Sequence, residues 1–345
     1  MVSIDELHNL AEISARIGGN PLLVQGPGGN TSVKSDSELW VKASGFWLAE
    51  ALDRQIFVPL DMGVLAQSSG NGETPPEAVL SDRNPGNLRP SIETALHALM
   101  PHRAVVHAHA VNAMAASMRG DGRRFAEERL APLAWDWIEY RRPGAPLAQE
   151  VARVLQERTA DILLLQNHGV VIGADTMADA ERLLAEVEER LAVAPRPLGS
   201  ANLDPVRAWE DARFEVHAAA SAVALDSQAV GILSGKTLIP DQIVFLGGAV
   251  PLVGPGESLN AVVDAHEART GVVPALVLIE GKGALALRAR SDAADALIGG
   301  LLEIVRRLPG DVEITGLGID AVEALSNWDA EAHRRALDAE RNLGA

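Results

Sequence analysis

The segment QGPGGNTSVK, residues 25–34, sets three glycines, a proline and an asparagine between the apolar run at 21–24 and an alternating stretch. Its first half matches G-x-G-x-x-G at two glycines, but Thr31 stands where the third glycine would let a helix pack closely. The next stretch, TSVKSDSELWVKAS, alternates with period two about a Ser-Asp-Ser turn and therefore reads as a β-hairpin. A dinucleotide-binding Rossmann unit needs a helix there, so that fold is excluded. The turn keeps two readings: a plain connection, or a cradle of backbone N–H groups, with the Asn30 amide, facing an anion.

Beyond the hairpin the chain alternates helix-period and strand-period segments, as an α/β protein does. Helical patterns are expected over 4–17, 91–100, 147–158, 177–192, 206–226, 291–307 and 319–342, with a short helical stretch VNAMAASM after 110. Strands are expected over 104–110, 161–166, 242–246, 274–279 and 284–288, and residues 67–90 read as a long irregular loop. At 345 residues the chain is long for one core, and 193–205 (VAPRPLGSANLDP) has the composition of a connector. The expected organisation is a larger domain over 1–195, a linker over 196–205 and a smaller α/β domain over 206–345.

Composition removes several function classes. The net charge of −17, with no Lys/Arg block, argues against a nucleic acid or an anionic membrane as partner. The N-terminus reads as an amphipathic helix and no apolar run approaches about 18 residues, so a cytoplasmic protein is expected. With no cysteine in the sequence, any transition metal must rest on histidine and carboxylate.

Two motif-like stretches lack the chemistry they suggest. GILSGKTLIP (231–240) has one residue too few for a phosphate-binding P-loop and runs into Pro240, so a turn is expected. HEART (266–270) has Thr270 where a zinc-protease helix needs its second histidine, which leaves a solvated helix face as the expectation.

Three other places carry more chemistry. In VVHAHA, His107 and His109 leave the same face of an expected strand about 7 Å apart along the backbone, a spacing that suits two nitrogens on one ion. Val105, Val106 and Val111 flank them, and a strand entering a core seldom carries two histidines without a use. His168, in LLLQNHGVVIG, sits where an apolar strand ends, a position at which sheet proteins place ligands and also capped loop histidines. Glu93 follows Ser91, a candidate N-cap, and so falls in a first helical turn, where a surface carboxylate is also favoured by the helix dipole.

Taken in order, GPGGNTSVK, KASG (42–45), RPSIETALH (89–97), VVHAHAVNAMA (105–115) and LLLQNHGVVIGADTMADAERLLAEVE (163–188) resemble the motifs of the class II aldolase/adducin family. The resemblance covers roughly 5–195. More weakly, LIPDQIVFLG (238–247) and LSNWDAEAHRRAL (325–337) are similar to the extension of the aldolase part of rhamnulose-phosphate aldolase/dehydrogenase proteins, without the dehydrogenase part.

This resemblance implies a three-layer αβα domain with a central sheet, and a lyase that makes or breaks a C–C bond in a ketose or ketose phosphate. It implies that His107, His109 and His168 hold a divalent cation, zinc first and manganese or a similar ion next, which stabilises an enediolate. Glu93 corresponds to the family's acidic residue, and as an acid near neutrality it would need a raised pKa, to which Ile92 would contribute. Asn30, Ser44, Gly45 and Ser91 fall at phosphate-binding positions, and a homo-oligomer, a ring-like tetramer, is implied.

Two departures keep other reactions open. Ile92 stands where phosphate-using relatives often have a second serine, and Tyr140, the only tyrosine, aligns with a strand end and not with the tyrosine that protonates the carbanion. Decarboxylation or epimerisation on the same site, or a non-catalytic adducin-like scaffold, are the alternatives.

Overall fold

The computed structural model describes residues 1–68, 72–326 and 337–338. The chain forms two compact units, one of residues 1–117 and 122–192, the other of 118–121 and 193–345. The sheet of the first unit contains β1 (Asn30–Lys34), β2 (Glu38–Lys42), β3 (Phe57–Asp61), β4 (Ala104–Ala108), β5 (Trp135–Ile138), β6 (Ile162–Leu165) and β7 (Gly169–Ala174). Their order is β3-β2-β1-β4-β7-β6-β5. Every neighbouring pair is antiparallel except β5 with β6.

Helices cover both faces of this sheet, which gives the expected three layers. On one face Leu96, Leu147 and Val151 pack on Val105, Leu163, Leu165 and Val171, whose alternate positions point the same way. The other face is covered by Ile4–Gly18, Val111–Ser117 and Met177–Leu191. Ile4–Gly18 begins at a reciprocal cap, in which Ser3 Oγ accepts from Glu6 N at 3.2 Å and Glu6 Oε2 accepts from Ser3 N at 2.8 Å.

The hairpin forms as expected, with β1 and β2 joined through Ser35-Asp36-Ser37. The polar residues of β1 are placed with less regard for sequence pattern. Asn30, Ser32 and Lys34 alternate along the strand, as solvent-facing residues of a hairpin would, yet all three are buried. The helix Thr94–Leu99 lies over them, so the face that looks exposed in sequence is a helix seat.

That helix is shorter than the expected 91–100. Ser91 O accepts from Thr94 N at 3.1 Å and Ser91 Oγ accepts from Glu93 N at 3.2 Å, forming a turn ahead of the helix. Glu93 therefore occupies the cap position, with φ −100° and ψ 12°, and is not in the first helical turn. Similarly, β4 stops at Ala108, so His109 lies just beyond the strand. Two further helices, Met62–Ser68 and Gly122–Leu130, fall in stretches where none was expected.

The second unit has a four-stranded sheet of β8 (Phe214–Val216), β9 (Leu252–Val253), β10 (Leu276–Ile279) and β11 (Gly283–Leu287), in the order β8-β11-β10-β9. The single helix expected over 206–226 is replaced by Asp204–Arg207, β8 and Ala218–Val223. Phe214 is fully buried among Val206, Val263 and Leu285 and pairs with Leu287, so core packing takes it into the sheet. The strand expected over 242–246 is a helix, Pro240–Leu246. Proline pre-sets φ for a first helical turn, and all seven residues are buried, so no one-sided pattern betrays the helix. Residues 231–235, expected in a turn, complete the helix Ser227–Gly235. Of the helix expected over 319–342, Ile319–Ser326 is present, and residues 327–336 and 339–342 lie outside the described residues. Among the described residues no single helix is long and apolar enough to cross a membrane.

Candidate metal centre

Pairing across the central strands brings the site together. Asn30 in β1 lies opposite His107 in β4, and His107 lies opposite Val171 in β7. Directly opposed residues share a face, so His107 and Asn30 point to the side on which Thr94–Leu99 is seated. His109 follows after the strand, and His168 ends the tight connection Gln166-Asn167-His168 between β6 and β7. Asn167 takes the left-handed conformation there, with φ 54°, which an asparagine tolerates better than most residues.

The three imidazoles are buried. Their ring centroids are 5.0 Å apart for His107 and His109, 4.8 Å for His107 and His168, and 5.3 Å for His109 and His168. One nitrogen from each lies within 4.8 Å of the others, an arrangement that could hold a metal ion. His107 Nδ1–H donates to Val170 O at 3.1 Å. That bond leaves Nε2 with its lone pair, the state a ligand nitrogen requires.

Glu93 faces this cluster. Its Oε2 is 3.4 Å from His107 Nε2 and its Oε1 is 3.5 Å from His168 Nε2. Burial works to raise the carboxyl, but electrostatic attraction to the His107 and His168 rings, the Asn30 hydrogen bond and His109 outweigh it and hold Glu93 down at about 2. The raised pKa expected beside Ile92 is thus overturned, because the histidines dominate over the apolar neighbour. Glu93 is a carboxylate in these surroundings.

A buried polar chain sets the orientation of Glu93. Asn30 Nδ2 donates to Glu93 Oε2 at 2.8 Å, while Asn30 Oδ1 accepts from His97 Nε2. The other ring nitrogen, His97 Nδ1, accepts from Ser32 Oγ at 2.7 Å. Burial holds His97 down at about 3, so the ring is neutral and this set of donors and acceptors is consistent. One step further along β1, Lys34 Nζ donates to His97 O at 2.7 Å and to Met100 O, holding the C-terminal end of the same helix. The three polar positions of β1 therefore hold the helix that carries His97 and fix the carboxylate just ahead of it. His97 and Lys34 were missed in the sequence; the signal was the i, i+2, i+4 repeat of polar residues beside the glycine turn.

The glycine turn serves the histidines by leaving room for them. A Cβ on Gly28 would lie 2.7 Å from His109 Nδ1, and one on Gly29, at φ 62°, would lie 2.8 Å from His107 O. Close approach accounts for both glycines.

The positions expected to bind phosphate sit on adjoining loops. Lys42 Nζ donates to Pro27 O and Phe46 O, both at 2.7 Å, tying the glycine turn to the segment that follows β2. Ser44 N donates to Arg89 O at 2.9 Å, and Ser91 N donates to Lys42 O at 3.1 Å. Ser44, Gly45 and Ser91 thus share one pair of adjoining segments, and Asn30 is joined to them through Glu93. The amide of Asn30 is already committed at both ends. Tyr140 lies just after β5, where its backbone N–H donates to Gln166 Oε1 at 3.0 Å.

Comparison with known proteins agrees with the resemblance in the sequence. Residues 8–194 match the Class II Aldolase and Adducin N-terminal domain. A Bacillus subtilis (strain 168) protein named as the uncharacterized oxidoreductase YuxG is 28% identical over 178 residues, 46% of this chain but 25% of that relative's length. The chain thus spans about a quarter of that relative. Among solved structures, the N-terminal class II aldolase domain of a conserved protein from Thermoplasma acidophilum is 26% identical, with TM-score 0.47, covering 55% of this chain and 94% of that one. The L-fuculose-1-phosphate aldolase from Thermus thermophilus is 20% identical, with TM-score 0.39, covering 54% and 91%.

Proposed function

Because the chain belongs to the class II aldolase and adducin family, we propose that it is a metal-dependent lyase that makes or breaks a C–C bond in a ketose or ketose phosphate. The observation that carries this reading is the placement of the Glu93 carboxylate against His107 and His168 within a buried three-histidine group. A scaffold has no use for a buried carboxylate held in this way, and burying it without function costs stability.

The donor set fits a resident metal: three imidazoles converge, and a backbone carbonyl fixes the tautomer of one. Histidines 107, 109 and 168 would hold a divalent cation, with zinc as our assignment, and such an ion supplies Lewis acidity toward a carbonyl or hydroxyl oxygen of the substrate. Glu93 takes up the hydroxyl proton as the C–C bond breaks, the aldehyde leaves, and the electron pair stays on the hydroxyketone fragment until a proton replaces it. Asn30 and His97 keep the receiving oxygen in place. Ser44, Gly45 and Ser91 bind the anionic end of the substrate. Assembly as a homotetramer belongs to the same reading.

The test is a metal assay on the purified protein followed by incubation with ketoses and ketose phosphates. About one divalent cation per chain and release of an aldehyde are expected. Full metal occupancy in a His107→Ala, His109→Ala variant would eliminate the three-histidine site. Evolution of carbon dioxide from a keto acid, with the sugars left intact, would replace the lyase reading with a decarboxylase on the same residues.

A further inference from the structure

The two stretches whose motif-like appearance led nowhere, GILSGKTLIP and HEART, come together within the second unit. Lys236 and Thr237 follow the helix Ser227–Gly235, and Arg269 and Thr270 end the helix Leu259–Thr270. All four line one cavity of about 790 Å³, together with Gly247 and Gly248. A cavity of this size suits a small organic ligand, for which about 300–1,000 Å³ is typical.

Most arginines among the described residues are paired with a carboxylate, as Arg196 is with Asp226 and Arg290 is with Glu215 and Asp295. Arg269 instead meets His266, whose Nδ1 lies 3.2 Å from the guanidinium. Burial, and then Arg269 itself, hold His266 down at about 4, so this partner is uncharged. Among the described residues neither Arg269 nor Lys236 has an ion pair. In a chain of net charge −17, two cations without an ion pair line one cavity, beside one carboxylate among its described lining residues, Glu323.

Basic residues at helix ends have a simpler role, since the partial negative charge of a C-terminus favours them. That charge is a fraction of a unit and is met here by caps: Lys236 N donates to Ile232 O at 3.0 Å and Gly271 N to Glu267 O at 2.8 Å. Among the described lining residues the two full positive charges stand against one carboxylate, Glu323. Ile243, Val272 and Leu317 add apolar surface to the lining.

We propose that this cavity is a binding site for a phosphorylated small molecule, with Lys236 and Arg269 holding a phosphate or diphosphate group and the apolar lining residues receiving its organic part. The site shares no residue with the histidine centre and assigns a ligand-binding role to the second unit.

Calorimetric titration of the full metal-loaded chain with pyrophosphate, ADP and adenosine tests this. The wild type is expected to bind pyrophosphate or ADP, and a Lys236→Gln, Arg269→Gln variant to bind at least about tenfold more weakly, with unchanged metal content and thermal midpoint. Lys236→Arg should retain binding, which separates loss of charge from loss of fold. Any anion site beside the histidines is identical in these proteins, so the difference reports the cavity alone. ADP binding more tightly than pyrophosphate identifies an organic phosphate; equal affinities identify the phosphate group as the whole determinant. Identical isotherms in the wild type and the double variant, or no heat from millimolar pyrophosphate and ADP, would overturn the proposal.

Discussion

Gly28 and His109 touch so closely that a Cβ on the glycine would lie 2.7 Å from the imidazole Nδ1. Gly28→Ala should therefore push His109 out of the group it forms with His107 and His168. Overpacking of this kind costs about 1–3 kcal/mol, a modest fall in thermal midpoint, while metal content should fall sharply. Retention of the full metal content by Gly28→Ala, measured by elemental analysis after dialysis, would show that His109 is not a ligand.

Glu93→Gln keeps the side-chain shape, and its carbonyl oxygen can still accept from Asn30. It removes the negative charge beside His107 and His168. Turnover on the true substrate should drop by about 10²–10⁴ with little change in circular dichroism. Wild-type turnover would leave Glu93 as a buried structural carboxylate.

Asn30 and Ser91 separate two roles that the sequence assigns together. Asn30 joins His97 to Glu93, so Asn30→Ala leaves two buried groups without their partner, at about 1–3 kcal/mol each. Its loss should show chiefly as reduced stability in denaturant. Ser91→Ala should instead weaken binding of a phosphate-bearing substrate analogue, by roughly tenfold or more. Equal analogue affinity in Ser91→Ala and the parent would point to an uncharged substrate end.

His97 predicts a specific response to acid. Its folded pKa is lowered to about 3 from the ordinary 6.5, so below 6.5 the unfolded chain takes up a proton that the folded protein refuses until about 3. The stability linked to this group is whole above 6.5 and declines as pH falls toward 3, with a slope of up to about 1.4 kcal/mol per pH unit. His97→Gln should flatten that slope in chelator-treated protein, read from urea unfolding at several pH values. Parallel slopes in the two proteins would mean that His97 titrates normally.

Much of the site is legible in the sequence. His107, His109 and Glu93 lie in motifs whose order and spacing carry the family resemblance, and the hairpin that excludes a Rossmann unit is set by local alternation and a Ser-Asp-Ser turn. Where the sequence misled, burial was the reason. The all-buried helix Pro240–Leu246 has no polar stripe to give it away, and Phe214 enters a strand because the core of the second unit receives it.

Local pattern by itself determined the glycine turn, the hairpin, most of the helices and the residue types available for chemistry, because these depend on neighbours within a few positions. Only the tertiary structure decided what those residues face. Asn30, Ser32 and Lys34 alternate as a solvent face would, and it is the helix Thr94–Leu99, some sixty residues further along the chain, that buries them and turns three polar side chains into a seat for His97 and Glu93. Glu93 provides the clearest case. Ile92 beside it suggests a raised pKa, and the histidines brought in from β4 and from the end of β6 lower it instead, because charge interacts through space while sequence records only adjacency.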